Sequence, residues 1–424
     1  MDWRPAGRFN WLSAELADLV SKMRVVFTEA FRRGLSAVDP RLAVRAELES
    51  LPMEDPITLV AIGKAAPAMA EGAIDVLAAR IVGGVVVSTG PSSQVGSPGI
   101  RQLQGGHPIP TAASLQAGLT VMAEAASATG TLLVLVSGGA SALADVPLEG
   151  LPLADVASAY RLLLRAGVPI DRMNIVRRHL SALKNGGLSS ATHARTVTLL
   201  IADVVGADPA TIGSGPTLAD SSTSADALAI VQDAGILEAL PGSVVGALRS
   251  AGRPQPVSPS PHWAIVTDGA AAVRAASDYL RQSGFRTEVD PIPLVGDSAE
   301  QGRRMAREAI PSTVTLRHGE TVVRVVGESP GGRNQHAALA AALALEGQVA
   351  TFAAFATDGR DGLTDVAGAI VDGATCGRLR ALGFDPGEIL GQCRSHEALA
   401  ASGDLIMTGP TGTNVADIWM SWRQ

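Results

Sequence analysis

Short apolar runs recur along this sequence. Each run ends in small or polar residues and precedes a segment suited to a helix. Such runs are apolar on both faces, as strands of a parallel sheet are when helices cover both sides of it. The sequence therefore predicts an open α/β fold. The runs lie at 57–63, 84–90, 131–139 and 197–203.

A proline-rich stretch at 253–261 is the predicted boundary between two domains, because its four prolines fit neither a helix interior nor a central strand. We expect one α/β domain at 1–252 and a second α/β domain at 262–424. In the first, apolar residues at helical spacing predict an amphipathic helix near 9–35. In the second, we expect strands at 263–267, 321–326, 350–356 and 405–408.

Charge and composition exclude several classes of protein. The 34 Lys and Arg residues against 41 Asp and Glu residues give a net charge of −7, and no stretch concentrates enough basic residues for a nucleic-acid binder. The two cysteines lack a paired ligand motif, so neither a zinc site nor a disulfide framework is indicated. The longest apolar runs are too short for a membrane span, and the N-terminus has no apolar signal region. We expect a soluble cytoplasmic protein.

Candidate binding residues follow the predicted strands, because ligands of open α/β sheets bind beyond the carboxyl ends of the strands. Lys64 follows the first run at a glycine turn, where an ammonium and backbone N–H groups can face one anion. A plain helix start would use the same residues. Ser137, Gly138, Gly139 and Ser141 follow the clearest strand and form a candidate phosphate-binding turn, although the P-loop spacing is absent from the sequence. A tight turn is the alternative there.

Two further segments of the first half carry polar groups. His107 lies in a loop that its neighbouring prolines keep extended, where it is either a ligand contact or a turn histidine. Asp203 and Asp208 follow the run at 197–203, and a loop containing Gly215 comes next. Carboxylates at a strand end can hold Mg²⁺ or accept a hydroxyl proton. Asp208 precedes a proline and also suits a turn.

The second half repeats this arrangement with different residues. Arg333 and Asn334 precede a long Ala/Leu helix, where an arginine can bind a phosphate or carboxylate and the helix end favours negative charge. Asp358 and Asp361 follow the run at 350–356 and suit either a metal site or a base with its orienting group. After 405–408 comes a second candidate anion loop that we expect to lead into a helix. Its candidate residues are Thr411, Gly412, Thr413 and Asn414.

Taken together, these groups suit phosphoryl transfer. Lys and Arg can neutralise phosphate oxygens, carboxylates can hold Mg²⁺, and glycine-rich turns can surround the phosphates. The residues alone therefore favour a small-molecule kinase without a Walker loop. A binding protein that uses the same turns without catalysis is the alternative.

The motifs at 61–66, 105–110, 135–141 and 174–181 resemble those of the glycerate 2-kinase family, which an older naming labels hydroxypyruvate reductase. The resemblance continues through 203–206, 213–217, 331–335, 356–362 and 408–414. It spans roughly 60 to 420 in family order.

This resemblance implies a larger N-terminal Rossmann-like domain with helices on both faces of a parallel sheet, a smaller C-terminal α/β domain, and an active site in the cleft between them. It also implies that ATP and Mg²⁺ are used to phosphorylate D-glycerate at its 2-hydroxyl to give 2-phosphoglycerate. Lys64 and Arg333 match the family's lysine and arginine. Asp203, Asp358 and Asp361 match acidic positions whose division between base and metal ligand the resemblance leaves open. We expect Asp203 and Asp358 to be catalytic and Asp361 and Asp208 to bind the metal.

Two alternatives to the kinase remain at this point. An NAD(P)-dependent hydroxypyruvate reductase is suggested by the older name, but no Gly-x-Gly-x-x-Gly follows any predicted strand. A non-catalytic binder of small phosphorylated acids would use the same anion-binding groups. The sequence leaves the oligomeric state open, with a homodimer as one candidate.

Overall fold

The computed structural model describes residues 14–90, 99–203, 206, 208–250, 262–325 and 330–424. The chain divides into two compact units. One spans Asp39–Thr267, and the other joins the residues up to Val38 to Asp268–Gln424. This division differs from the predicted domains at 1–252 and 262–424, because the N-terminal helix belongs to the C-terminal unit and residues 262–267 belong to the first. The proline-rich stretch at 253–261 lies outside the described residues.

The described residues form twelve strands and sixteen α-helices. The strands are β1 Ile57–Ile62, β2 Ile81–Ser88, β3 Ile100–Gln104, β4 Thr131–Val136, β5 Arg195–Ala202, β6 His262–Asp268, β7 Arg286–Val289, β8 Thr313–Gly319, β9 Ala350–Ala356, β10 Gly368–Asp372, β11 Leu405–Ile406 and β12 Asp417–Arg423. The helices are α1 Ala14–Ala37, α2 Pro40–Leu48, α3 Ala66–Leu77, α4 Ala112–Ser127, α5 Ala140–Leu143, α6 Leu153–Arg165, α7 Ile170–Arg178, α8 Gly187–Ser190, α9 Ser224–Asp233, α10 Gly242–Arg249, α11 Gly269–Gln282, α12 Ser298–Arg307, α13 Arg333–Leu345, α14 Thr375–Ala381, α15 Pro386–Gly391 and α16 Ser395–Ala401.

The first unit is built on a six-stranded sheet of order β3-β2-β1-β4-β5-β6. The pairings from β3 through β5 are all parallel. All residues of β1 and β4 are buried, as strands are when helices cover both faces. This order is that of the Rossmann fold, so the predicted fold class is confirmed. It also places a topological switch point between β1 and β4, where ligands of such sheets bind.

The second unit has a sheet of order β11-β10-β9-β12-β8-β7, in which only β7 and β8 pair in parallel. The strand predicted at 350–356 is confirmed as β9, but the one at 405–408 is shorter. The strand predicted at 321–326 was wrong over its described part, where Val322 makes only an isolated bridge. The loop after Thr408 leads into β12 and not into a helix. β12 forms because its residues pair on both sides, with β9 and β8.

Helix α1 packs within the second unit, which explains the observed division of the chain. Phe31 of α1 stacks on Phe355 of β9 with ring centroids 4.4 Å apart. Gly34 lets α1 approach α11 closely, since a Cβ there would lie 2.9 Å from the carbonyl oxygen of Ala272. Arg24 donates to Asp404 at 2.9 Å. None of the helices in the described segments is long and apolar enough to cross a membrane.

Candidate active site

The turns that follow β1 and β4 are bonded to each other at the switch point of the first sheet. The amide of Lys64 donates to the carbonyl oxygen of Gly138 at 2.9 Å. The amide of Ala65 donates to the hydroxyl of Ser137 at 3.1 Å, and Ser137 itself is fully buried. Ser137 therefore holds the turn together, and its hydroxyl is engaged by the backbone.

Three of the predicted site residues meet at this turn. Gly139 has φ +87°, in the left-handed region that favours glycine. A Cβ at Gly139 would lie 3.4 Å from Cγ of Lys64 and 3.4 Å from Cδ2 of His107. The stem of Lys64 and the ring of His107 thus lie beside Gly139, beyond the carboxyl ends of β1 and β4. A lysine, a histidine and a side-chain-free turn that lie together suit an anionic ligand.

Ser141 and Gly215 hold neighbouring loops together. The hydroxyl of Ser141 is hydrogen-bonded to that of Ser214. The carbonyl oxygen of Gly215 accepts the amide of Gly186 at 2.8 Å. Both predicted binding residues therefore lie beside the switch-point turn, where they fix the position of the loop that follows β5.

The carboxylates after β5 have different surroundings. Asp203 comes directly after β5, and residues 204, 205 and 207 beside it lie outside the described residues. Asp208 accepts the amide of Ala210 at 3.0 Å at the start of a 3₁₀ turn. Burial lowers the pKa of Arg178, and the negative charge of Asp208 raises it. Asp208 thus caps a turn beside a buried cation, and its proposed metal role stays a prediction.

In the second unit, Arg333 lies at the first residue of α13 and faces two carboxylates. Its Nε and Nη2 donate to the two carboxylate oxygens of Asp417 at 2.6 and 3.0 Å. Its Nη1 donates to Glu320 at 2.7 Å. The sequence predicted Arg333, but it gave no reason to select Asp417 or Glu320, because the pairing depends on β8 and β12 lying side by side.

Asp361 is the cap of α13. Its carboxylate accepts the amides of Asn334 and Gln335 at 3.0 and 2.8 Å, and the side-chain nitrogen of Gln335 at 2.9 Å. Asn334 is fully buried and accepts the indole N–H of Trp419 at 2.7 Å. Asp361 thus supplies acceptors for the N–H groups of the helix start. The predicted metal role of Asp361 and the predicted binding role of Asn334 stay predictions.

Burial is also what sets the ionisation of Asp361. Desolvation is the largest cause that raises its pKa, and the charge of Asp417 also raises it. The hydrogen bonds from Gln335 and Asn334 lower it, and the net pKa is about 6. Asp361 is therefore a buried carboxylate whose charged form depends on the helix start that it caps.

The loop that precedes β12 lies against the end of β9. The hydroxyl of Thr411 donates to the carbonyl oxygen of Thr357 at 2.5 Å. Asp358 accepts the amide of Arg360 at 3.0 Å. Thr413 is buried and donates to the carbonyl oxygen of Val38 at 3.3 Å, a structural contact that differs from its predicted binding role. Gly412 is exposed and Asn414 is half-buried, so these two loop positions reach solvent.

A buried ion pair in the first unit, Asp145 with Lys184, was not predicted from the sequence. Only three of the 34 Lys and Arg residues are lysines, and Lys184 is one of them together with Lys64. This scarcity of lysine is the signal in the sequence that points to Lys184.

Comparison with known proteins identifies the family of this chain. A model described as a domain of unknown function, DUF4147, matches residues 26–249, and the MOFRL family model matches residues 313–417. A D-glycerate 2-kinase from Thermotoga maritima is 36% identical over 404 residues, which cover 92% of this chain and 96% of that protein. A glycerate 2-kinase from Pyrococcus horikoshii is 33% identical, with 92% of each protein covered.

A protein of Agrobacterium vitis with a provisional hydroxypyruvate reductase name is 35% identical, with 93% of each protein covered. A crystal structure of glycerate kinase from Thermotoga maritima matches with a TM-score of 0.84 at 35% identity, covering 95% of this chain and 100% of that one. The fold and these relatives define a phosphotransferase. The chain belongs to the glycerate 2-kinase family.

Proposed function

We propose that this protein transfers the γ-phosphoryl group of ATP to the 2-hydroxyl of D-glycerate, with 2-phosphoglycerate and ADP as products. The main observation behind the proposal is that Lys64, His107 and Gly139 lie close together at the switch point of a sheet with the Rossmann strand order. Membership of the glycerate 2-kinase family supports the reaction class. The cytoplasmic location stays a prediction from the sequence.

In this reaction the 2-hydroxyl oxygen bonds to the γ-phosphorus as the bond from that phosphorus to the ADP oxygen breaks. The hydroxyl proton passes to a carboxylate, for which Asp203 and Asp358 are the candidates. Catalysis of this step depends on positioning and on neutralising the charge of the transferred group. We assign that neutralisation to Lys64 and Arg333, because each is a cation at the edge where strands of its unit end.

Magnesium accompanies ATP in this proposal. Mg²⁺ is commonly held by one or two carboxylates together with substrate phosphates. Among the residues that the structure describes, no group of three His, Cys, Asp or Glu side chains is placed to hold a metal. Asp208 remains a proposed ligand. Asp361 fits less well, since amide N–H groups already engage both of its oxygens.

The test is incubation of the purified protein with MgATP and D-glycerate, followed by enolase, which consumes 2-phosphoglycerate but not 3-phosphoglycerate. We expect direct consumption of the product by enolase. A Lys64→Met variant, which removes the ammonium, should lose activity by about 10²–10³-fold. A Lys22→Met variant, which changes an exposed lysine of α1, is the control and should behave as the wild type.

Three results would redirect the assignment. If 3-phosphoglycerate forms instead, the kinase stands and its regiochemistry is wrong. If no phosphoglycerate forms and hydroxypyruvate oxidises NAD(P)H, the reductase is correct. Binding of MgATP and glycerate with no turnover of either kind would identify a non-catalytic binder.

A further inference from the structure

A buried polar cluster lies behind the glycine-rich turn of the first unit, outside the residues assigned to the site. Asp145 and Lys184 form an ion pair in which both side chains are fully buried. The hydroxyl of Tyr160 donates to the other carboxylate oxygen of Asp145 at 3.0 Å. The guanidinium of Arg177 lies over the Tyr160 ring, 4.8 Å from its centroid. Burial raises the pKa of Tyr160 well above its usual value, so its hydroxyl remains a donor.

Asp145 connects this cluster to the turn. Helix α5 begins directly after Gly139 and ends two residues before Asp145. The amide of Asp145 donates to the carbonyl oxygen of Ser114 at 3.1 Å. The hydroxyl of Ser114 accepts two amides that flank His107, at 2.8 and 3.0 Å. Asp145 is therefore joined to both segments that bring Gly139 and His107 together.

Lys184 connects the same cluster to the loop after β5. The next residue, Asn185, donates its amide to the carbonyl oxygen of Ser214 at 3.1 Å. The hydroxyl of Ser214 is bonded in turn to Ser141, on α5. The contacts therefore form a closed ring beside the switch point, which runs through Ser141, Asp145, Lys184 and Ser214.

Stability alone does not account for this pair. Taking two charges out of water costs free energy that their attraction repays only partly, and apolar replacements of whole buried pairs are often as stable. What a buried pair can supply is one fixed geometry. Its lysine also stands out, because a chain with 31 arginines has a compact ammonium at this position.

We propose that Asp145 and Lys184 are positioning residues for phosphoryl transfer. Their ion pair fixes α5, and with it the Ser137–Ser141 turn, relative to the His107 loop and the loop containing Ser214. Neither residue is assigned a contact with substrate. The expected effect on kcat rests on the proposed kinase function. The expected effect on the position of α5 and its neighbouring loops does not.

The test is a double variant, Asp145→Leu with Lys184→Met, which replaces both charges by apolar groups. We expect the variant to fold with a lowered melting temperature, because the buried hydroxyl of Tyr160 loses its acceptor. We expect kcat to fall by about 10- to 100-fold, as displacement of a catalytic group does, with a much smaller change in KM. Amide hydrogen exchange should accelerate in 138–144 and 213–216 and remain unchanged in β1 and β4.

A matched control makes the same two changes in a solvent-exposed pair of the same unit, Arg172→Met with Asp233→Leu. Its kcat and its exchange in 138–144 should equal those of the wild type. If the Asp145/Lys184 variant exchanges normally in 138–144 and 213–216, the proposal is wrong, whatever the reaction proves to be. Faster exchange in those segments supports it even if the wild type makes no phosphoglycerate, a result that would reject only the kinase.

If the double variant does not fold, Tyr160→Phe provides the second test, because it removes only one hydroxyl from the cluster. That variant should show the same localised exchange and a smaller loss of kcat. Normal exchange and normal kcat in a folded Tyr160→Phe protein would overturn the proposal.

Discussion

Arg333 and Asp417 form a two-bond ion pair at the point where α13 and β12 begin. The Asp417 side chain is 1% exposed and that of Arg333 is 30% exposed. Burial lowers the pKa of Arg333, but Asp417 and Glu320 together raise it more, so the net shift is upward. The guanidinium is therefore cationic, and its two bonds to Asp417 fix its orientation.

The first prediction concerns that fixed geometry. Arg333→Lys keeps the charge but cannot make two parallel hydrogen bonds to Asp417. We expect kcat to fall by about 10²–10³-fold and the melting temperature to fall, because a buried carboxylate loses its partner. Steady-state kinetics and thermal unfolding measure both. Arg304→Lys, at an exposed pair of α12, is the control. If Arg333→Lys keeps the wild-type kcat and has a lowered melting temperature, Arg333 has a structural role and no catalytic one.

The second prediction separates the effect of backbone strain at a glycine from the effect of a new side-chain contact with Lys64 and His107. Gly139 and Gly150 both have left-handed φ values, +87° and +76°. A Cβ at Gly139 would contact Lys64 and His107, whereas one at Gly150 would meet nothing within 4 Å. Both Ala variants should lose about 1–2 kcal/mol of stability. Only Gly139→Ala should also lose activity, by about tenfold or more. Equal kcat values in the two variants would contradict the assignment of Gly139 to the active site.

The sequence predicted the first sheet well because its signal is local. The strands β1 and β4 are continuous apolar runs, and parallel strands covered on both faces look the same wherever they occur. Lys64 and Gly139 could be proposed for the site for the same reason. Their positions follow from the ends of strands, and the switch point follows from the strand order.

The second unit was harder to predict because its organisation depends on pairings between distant residues. Strand β12 mixes Trp, Met and Ser, and it is a strand because β8 and β9 pair with it on either side. The helical period of α1 identifies a helix but does not identify the unit on which it packs. Likewise, the sequence around Asp361 does not show that its carboxylate accepts the amides at the start of α13, because that contact depends on where α13 lies.

The third prediction follows from the pKa of Asp361, which burial raises from 3.8 to about 6. Below pH 3.8 the carboxyl is protonated in both the folded and the unfolded protein. Between pH 3.8 and 6 the folded protein holds the proton more tightly than the unfolded protein, so the free energy of unfolding falls as pH rises. Above pH 6 this loss of stability is complete.

Asp361→Asn removes this titration while keeping the size of the side chain. The stability of the wild type relative to the variant should therefore decrease by roughly 2 kcal/mol between pH 4 and pH 7. Denaturant unfolding of both proteins across this range measures the difference. A difference that is constant with pH, or that increases, would show that the folded protein does not raise the pKa of Asp361.

The last prediction tests where α1 belongs. Phe31 is 1% exposed and stacks on Phe355 of β9, while Val25 on the same helix is 69% exposed. Phe31→Ala should destabilise the C-terminal unit by about 3–5 kcal/mol, since it leaves a cavity under the sheet. Val25→Ala should change its stability by less than about 0.5 kcal/mol. Fluorescence of Trp419 and Trp422, both buried in β12, reports the denaturant midpoint of that unit. If Phe31→Ala leaves this midpoint unchanged, α1 is not part of the cooperative unit that contains β9, and the division of the chain must be drawn as the sequence suggested.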